Sequence, residues 1–167
     1  SKSKIRQYVI KEDLIFLVLD QTPFYAESGG QIGDAGIIEA KGEQLKVLDV
    51  KKELDKIVHI CSGSMIETKT VKCEVFESRR NAIKKNHTAT HIMHRALKNV
   101  LGDHVQQAGS LVNQDYLRFD LTHFEKINLK QIKEIENIVN DQIIKNIELK
   151  VSIEEFDKAK KMGAEAL

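Results

Sequence analysis

Three histidines at helical spacing are the residues of this sequence best suited to chemistry. They lie in the stretch NHTATHIMH, at His87, His91 and His94. On an α-helix this spacing puts all three side chains on one face. Two histidines one turn apart can bind one zinc ion, so His87 and His91 are candidate metal ligands. For His94 the sequence favours a packed core residue over a ligand.

The metal interpretation of the pair competes with a structural one, because a histidine on a mostly apolar helix face is commonly a hydrogen-bonded core residue. The zinc-protease motif also has a glutamate beside its first histidine as general base. Here that position is Thr88, which argues against peptide hydrolysis by that route. A zinc site needs three or four protein ligands. The remaining imidazoles and thiols, none of which forms a second close pair, are His59, His94, His104, His123, Cys61 and Cys73.

Composition narrows the classes of protein to which the chain can belong. Its 167 residues are 41% hydrophobic, enough for a core, and no apolar run is long enough to span a membrane. With 26 basic and 25 acidic residues, no global field attracts nucleic acid. Any RNA contact must come from local patches such as Arg79, Arg80, Lys84 and Lys85. The two cysteines follow no metal or redox spacing, which favours a reducing cytoplasm.

The first half of the chain has the pattern of a small β-barrel. Short apolar or alternating segments are separated by turn signals, and the loop TPFYAESGGQIGDAG holds the only proline. The predicted strands cover residues 5–10, 14–19, 37–39, 45–50, 57–61 and 71–76. We therefore expect a barrel subdomain over residues 1–78.

The second half changes to helical periodicity interrupted by strands. Ser78 is the expected cap of a helix from Arg79 to Leu101, which Gly102 ends. Two strands (105–112 and 116–122) follow, joined by the turn Asn113-Gln114-Asp115. The pair Asn128 and Gln131 predicts a capping box for the next helix. The alternation of Ile147, Leu149, Val151 and Ile153 predicts a strand, and Ser152 with Glu155 a last helix that ends near Gly163.

These elements predict an α+β fold, with the barrel followed by a mixed core of helices and antiparallel sheet over residues 79–167. The chain starts at Ser1 without methionine and stops at AEAL. We therefore expect it to be a piece of a longer protein.

Three long motifs are more specific than the spacing of the histidines alone. They are TPFYAESGGQIGDAG, NHTATHIMHRALKNVLGDHVQQAGSLV and LRFDLTHFEKI. Together they resemble the editing region of alanyl-tRNA synthetases and, more loosely, the freestanding AlaX trans-editing proteins. The resemblance runs from about Leu14 to Leu167 and is weaker around residues 40–70. It implies zinc-dependent hydrolysis of seryl- or glycyl-tRNA(Ala), contact with the tRNA acceptor end, and further synthetase domains, including an ATP-binding one.

The resemblance also implies roles for particular residues. Zinc is held in the family by HxxxH, here His87 and His91, and by a later CxxxH that is expected after MGAEAL. The Zn²⁺ site is then expected to be incomplete in this chain, whose activity would need the missing donors. Thr90 and Gln107 are implied in the editing pocket. The SGGQ loop, with Gly29, Gly30 and Gln31, is implied in holding the substrate end of the tRNA.

Each of these roles has a structural alternative. Thr90 could bond to a helix carbonyl, Gln107 could be a polar residue at a strand end, and the glycines could serve a tight turn. The basic cluster that contains Arg79 and Arg80 could contact phosphate or could be a solvated helix face. The chain could also be a freestanding deacylase or a tRNA-end-binding module without catalysis.

Overall fold

The N-terminal half of the chain is a closed, six-stranded antiparallel barrel. The structure, a computed structural model, describes residues 1–150 and 152–163. The barrel order is β1-β2-β5-β4-β3-β6, with β6 pairing back to β1, as the short strands predicted. Its strands are β1 (Lys2–Lys11), β2 (Leu14–Leu19), β3 (Gly36–Ala40), β4 (Glu43–Glu53), β5 (Lys56–Gly63) and β6 (Thr70–Val75).

Alternating side chains fill the barrel. In β2 the inward residues Ile15, Leu17 and Leu19 are buried while their neighbours are half-buried, because successive strand residues point to opposite faces. Both cysteines are unpaired thiols inside this core. Burial raises the pKa of Cys61 to about 12, and the nearby Cys73 adds to the rise. Burial likewise raises the pKa of Cys73, so both thiols are protonated at neutral pH.

The long helix α1 (Glu77–Leu101) follows the barrel almost directly. The prediction that Ser78 caps it was wrong. The N-cap residue is Phe76, without a side-chain cap hydrogen bond, and the helix starts two residues before Arg79, so Ser78 already lies within its first turn. The predicted end was right, since Gly102 adopts φ 114° and donates its N–H to the Lys98 carbonyl.

A two-stranded sheet and a second helix pack beside α1. The sheet consists of β7 (Gln106–Val112) and β8 (Leu117–Thr122). In the predicted turn, Asn113 Oδ1 accepts bonds of 2.8 Å from the N–H groups of Asp115 and Tyr116. Helix α2 (Leu129–Ile144) begins with the predicted Asn128–Gln131 capping box. The core of this half contains Ala96, Leu97, Val105 and Ile135. The α+β prediction is therefore confirmed.

The predicted strand near the C-terminus was wrong. Residues 147–150, 152 and 153 form no strand, and Val151 lies outside the described residues. A strand needs a neighbour for its backbone groups, and none of the described strands pairs with this segment. A last helix, α3 (Phe156–Lys161), is present, but its N-cap is Glu155 rather than Ser152. No helix in the described ranges is long and apolar enough to cross a membrane.

Candidate functional site

Helix α1 carries the candidate residues at the border between two of its faces. One face, with Ile83, Thr90 and Leu97, is buried. The other lines an open groove of about 1050 Å³ between α1 and α2 that continues to Leu149. At 3.6 residues per turn, His87 and His91 fall between these faces. His87 is half-buried, whereas His91 is exposed and lines the groove.

The two imidazoles lie side by side, as the spacing predicted. Their ring centroids are 5.2 Å apart and the ring planes differ by 26°. Burial lowers the pKa of His87, and the neighbouring His91 lowers it further. Metal binding needs neutral imidazole, so this environment favours the protonation state that a cation requires.

The barrel loop supplies a hydrogen-bond partner to this pair. Gln31 Oε1 lies 2.6 Å from His87 Nδ1. A carboxamide oxygen can only accept, so Nδ1 carries the hydrogen and the lone pair is left on Nε2. Metal-binding histidines commonly have such a partner on their second nitrogen. Sequence reasoning placed Gln31 near the pocket but missed this contact, because 56 positions separate the two residues.

Gly30 lets the loop approach β7 closely. The Ile32 N–H donates to the Val112 carbonyl at 3.1 Å, and the Val112 N–H donates to the Gly30 carbonyl at 2.8 Å. Gly30 has φ 82°, and a Cβ there would lie 2.2 Å from Ser110 Oγ. Gly29 has φ 58° but faces open space. This docking places Gln31 of the barrel loop next to His87.

Thr90 lies on the buried face of α1 and Gln107 on β7, and neither is among the residues that line the groove. The Thr90 hydroxyl donates to the Asn86 carbonyl at 2.8 Å, which is the local alternative considered from sequence. Gln107 is half-buried and donates from Nε2 to Ser110 Oγ at 3.2 Å. Since Ser110 also adjoins Gly30, the Gln107 side chain is near the SGGQ loop.

Arg79 and Arg80 bind the barrel loop rather than standing free on a helix surface. Arg79 Nη1 donates to the Gly33 carbonyl at 2.8 Å. Arg80 forms an ion pair with Asp34, which is 2% exposed, and donates to the Pro23 carbonyl at 2.6 Å. These contacts hold the loop against the start of α1. The other two cations of the cluster, Lys84 and Lys85, are exposed and line the groove.

The donor set near the pair suits a metal only in part. Over residues 1–150 and 152–163, no three His, Cys, Asp or Glu side chains are grouped so as to hold an ion. His87 and His91 can therefore supply two donors, and a zinc ion needs at least one more from the protein. His94 packs against Phe119, with ring centroids 5.2 Å apart.

Comparison with known proteins finds relatives that match nearly the whole chain. The family model for tRNA synthetases class II (A) matches residues 1–80, which cover the barrel and the start of α1. The alanine–tRNA ligase of Acetivibrio thermocellus is 48% identical over 96% of the chain. Those of a Thermoanaerobacter species and of Fusobacterium nucleatum are 45% and 48% identical over 100% and 92% of it. The chain is homologous to one segment of the alanine–tRNA ligases.

The matched segment is a small part of those ligases. The chain spans 20% of the Acetivibrio and Thermoanaerobacter ligases and 18% of the Fusobacterium ligase. The family model ends before His87, but the ligase matches extend over most or all of the chain. The resemblance to alanyl-tRNA synthetases is thereby confirmed for this segment.

Proposed function

We propose that this chain is the editing region of an alanine–tRNA ligase, and that the whole ligase uses it to hydrolyse the ester of seryl- or glycyl-tRNA(Ala). The observation that carries the proposal is the His87–His91 pair on the border of a groove, with Gln31 bonded to His87. The homology to alanine–tRNA ligases supports tRNA(Ala) as the tRNA of the proposed substrate.

Hydrolysis at a second site overcomes a physical limit on how well an alanine-activating pocket can select its amino acid. A pocket that accepts alanine cannot strongly reject serine or glycine, since one small group is worth only about 1–3 kcal/mol. A second site can test the attached amino acid again. A buried polar group there that bonds the serine hydroxyl is left unpaired when alanine enters, which costs about 1–3 kcal/mol.

His87 and His91 would hold a Zn²⁺ ion together with donors outside the described residues. When bound, the ion would polarise the ester carbonyl or lower the pKa of a water molecule. Gln31 would keep the hydrogen on His87 Nδ1 and so direct the Nε2 lone pair outward. The pairing of His87 with Gln31 across two subdomains would hold this geometry before the substrate arrives.

Thr90 and Gln107 remain our candidates for sensing the serine hydroxyl. The Thr90 oxygen donates its hydrogen to Asn86 but retains lone pairs that can accept. The Gln107 carboxamide has a free oxygen as well as its bond to Ser110.

For the tRNA backbone we favour Lys84 and Lys85 over Arg79 and Arg80. Both arginines already donate to loop carbonyls, and Arg80 also pairs with the buried Asp34. The two lysines are exposed along the groove that contains His91, where ammonium groups can neutralise phosphate. The buried, unpaired thiols of Cys61 and Cys73 accord with a reducing cytoplasm.

The proposal is tested by deacylation of seryl-tRNA(Ala) by the full-length gene product and by the 167-residue chain. We expect His91→Ala in the full-length protein to abolish deacylation but to leave aminoacylation with alanine intact. Lys130→Ala, a change on the exposed surface of α2, is the control. Deacylation by the His91→Ala protein at the unmodified rate would overturn the proposal.

A second candidate is a tRNA-end-binding module without catalysis. The finding in its favour is that, within the described residues, no third potential zinc donor is grouped with His87 and His91. It predicts that the full-length protein binds tRNA(Ala) but does not release serine from it. The same deacylation assay therefore separates the two functions.

A further inference from the structure

The first strand of the barrel has an edge that the described chain leaves uncovered. β1 pairs with β6 only through Lys2–Lys4, whereas it pairs with β2 as far as Lys11. Among the strands described, only β2 adjoins residues 7–11. An exposed strand edge offers backbone N–H and C=O groups to another strand.

This edge is also apolar. Tyr8, Val9 and Ile10 are 52%, 54% and 55% exposed. Val9 borders a surface groove of about 470 Å³, which Phe16 and Val18 of β2 also line. A run of three exposed apolar residues beside an unpaired backbone is a typical site for strand addition.

The turn determines which backbone groups face outward. Lys11 and Leu14 are paired across the two residues Glu12 and Asp13, and in such hairpins the flanking residues form a hydrogen-bonded pair. Hydrogen-bonded pairs alternate along an antiparallel ladder. Val9 and Gln7 therefore bond to β2, whereas the N–H and C=O groups of Tyr8 and Ile10 point away from it.

We propose that a second copy of this chain pairs with this edge, antiparallel and symmetric about Val9. In that register Tyr8 bonds to Ile10 of the partner subunit and Ile10 to Tyr8 of the partner subunit, so the outward backbone groups meet. The register places Gln7 opposite Lys11 of the partner subunit. It also brings Arg6, at a bulge of β1, beside Glu12 of the partner subunit.

Neighbouring symmetric registers lack this complementarity. Centring the pair on Tyr8 would place Arg6 opposite Ile10 of the partner subunit. Centring it on Ile10 would place Tyr8 opposite Glu12 of the partner subunit. Among these registers, only pairing about Val9 combines apolar contacts at the centre with an available Arg6–Glu12 pair at both ends. The Tyr8 register would place Glu12 of the partner subunit opposite Lys4, which already pairs with Thr70 of β6. The contact is short, so we expect a reversible dimer with a Kd of about 10–100 μM rather than a permanent one.

Sedimentation equilibrium of the 167-residue chain from about 1 μM to about 1 mM tests the proposal over the range of that Kd. We expect the average mass to rise from one chain toward two. Arg6→Glu and Glu12→Arg, each alone, place like charges together and should weaken dimerisation at least about tenfold. The double variant Arg6→Glu/Glu12→Arg should restore it. Lys130→Glu, on the exposed surface of α2, is the matched charge-reversal control.

Amide hydrogen exchange gives a second readout that does not depend on variants. The Tyr8 and Ile10 amides should become more protected as the concentration of the unmodified chain rises, whereas the Val9 amide should be protected throughout. The Arg6→Glu change also removes a charge that acts within the chain, because Arg6 adds to the lowering of the Asp20 pKa that the Lys4 backbone N–H mainly causes. Thermal unfolding of each variant therefore checks that it is still folded. A monomer at every concentration, or a dimer that both single reversals leave unchanged, would overturn the proposal.

Discussion

At the scale of single residues, the proposed site depends on the contact between Gln31 and His87. The 2.6 Å hydrogen bond joins a residue of the barrel loop, 9% exposed, to the first candidate metal ligand. An imidazole without this partner would be free to exchange tautomers and to rotate. The bond therefore gives the pair a defined direction before any cation is present.

Replacing Gln31 with leucine should disturb His87 in a measurable way. We expect the ring ¹⁵N shifts of the metal-free chain to show a larger fraction of the Nε2–H tautomer of His87. In the full-length gene product, zinc affinity should fall about 10–100-fold. Gln44→Leu removes an exposed carboxamide from β4 and is the control. Unchanged shifts and zinc affinity in the Gln31 variant would show that the contact has no positioning role.

His59 should make the stability of the barrel depend on pH. Burial lowers its pKa, although the bond to the Leu17 carbonyl partly opposes this. The folded chain therefore resists protonation more than the unfolded chain, whose histidine pKa is about 6.5. The contribution of neutral His59 to the free energy of unfolding is therefore complete above that pH. It is lost as the pH falls below it, by at most about 1.4 kcal/mol per pH unit for one proton.

Urea unfolding between pH 7.5 and pH 5 measures this dependence. The free energy of unfolding should fall more steeply with acid in the unmodified chain than in a His59→Gln variant, even though the variant is less stable at pH 7.5. The Thr22 hydroxyl, 2.7 Å from His59 Nε2, loses its partner in that variant. Parallel pH profiles would mean that His59 does not titrate as its burial implies.

At the scale of elements, the docking of the SGGQ loop on β7 depends on Gly30. A side chain at Gly30 would be strained at φ 82° and would also meet Ser110, with a Cβ 2.7 Å from its carbonyl oxygen. We expect Gly30→Ala to lower the free energy of unfolding by about 2–4 kcal/mol, from backbone strain and overpacking together. The His87–Gln31 contact should be lost with it.

Gly29→Ala is the matched comparison, because its φ is also positive but no atom lies within 4 Å of the added Cβ. Backbone strain alone should cost about 1–2 kcal/mol there. Urea unfolding gives both free energies, and the ¹⁵N shifts of His87 report the contact. Equal losses for the two variants would argue against close docking as the reason for Gly30.

Elements with strong local signals were predictable from the sequence, and those decided by distant neighbours were not. Asn128 and Gln131 predicted their capping box, and alternation predicted most of the barrel. The start of α1 was missed because Phe76 carries no side-chain cap. Alternation around Leu149 predicted a strand that has no described partner. Spacing predicted that His87 and His91 lie side by side, but no local signal could link either to Gln31.

At the scale of the whole molecule, the loop between β2 and β3 holds the barrel against the helical core. The loop bonds to α1 through Arg79, Arg80 and Gln31 and to β7 through the Gly30 carbonyl. These contacts hold the candidate zinc ligands in a fixed place relative to the barrel. The homologous ligases are about five times longer, and we propose that their further residues complete the site.

Metal stoichiometry of the full-length gene product tests the central claim most directly. The unmodified protein, purified without chelator, should contain about one zinc ion per chain at this site. The His87→Ala/His91→Ala protein should lose that ion while the thermal unfolding of its barrel is unchanged. The account is contradicted if the double variant retains the same zinc content as the unmodified protein, or if the unmodified protein binds no zinc.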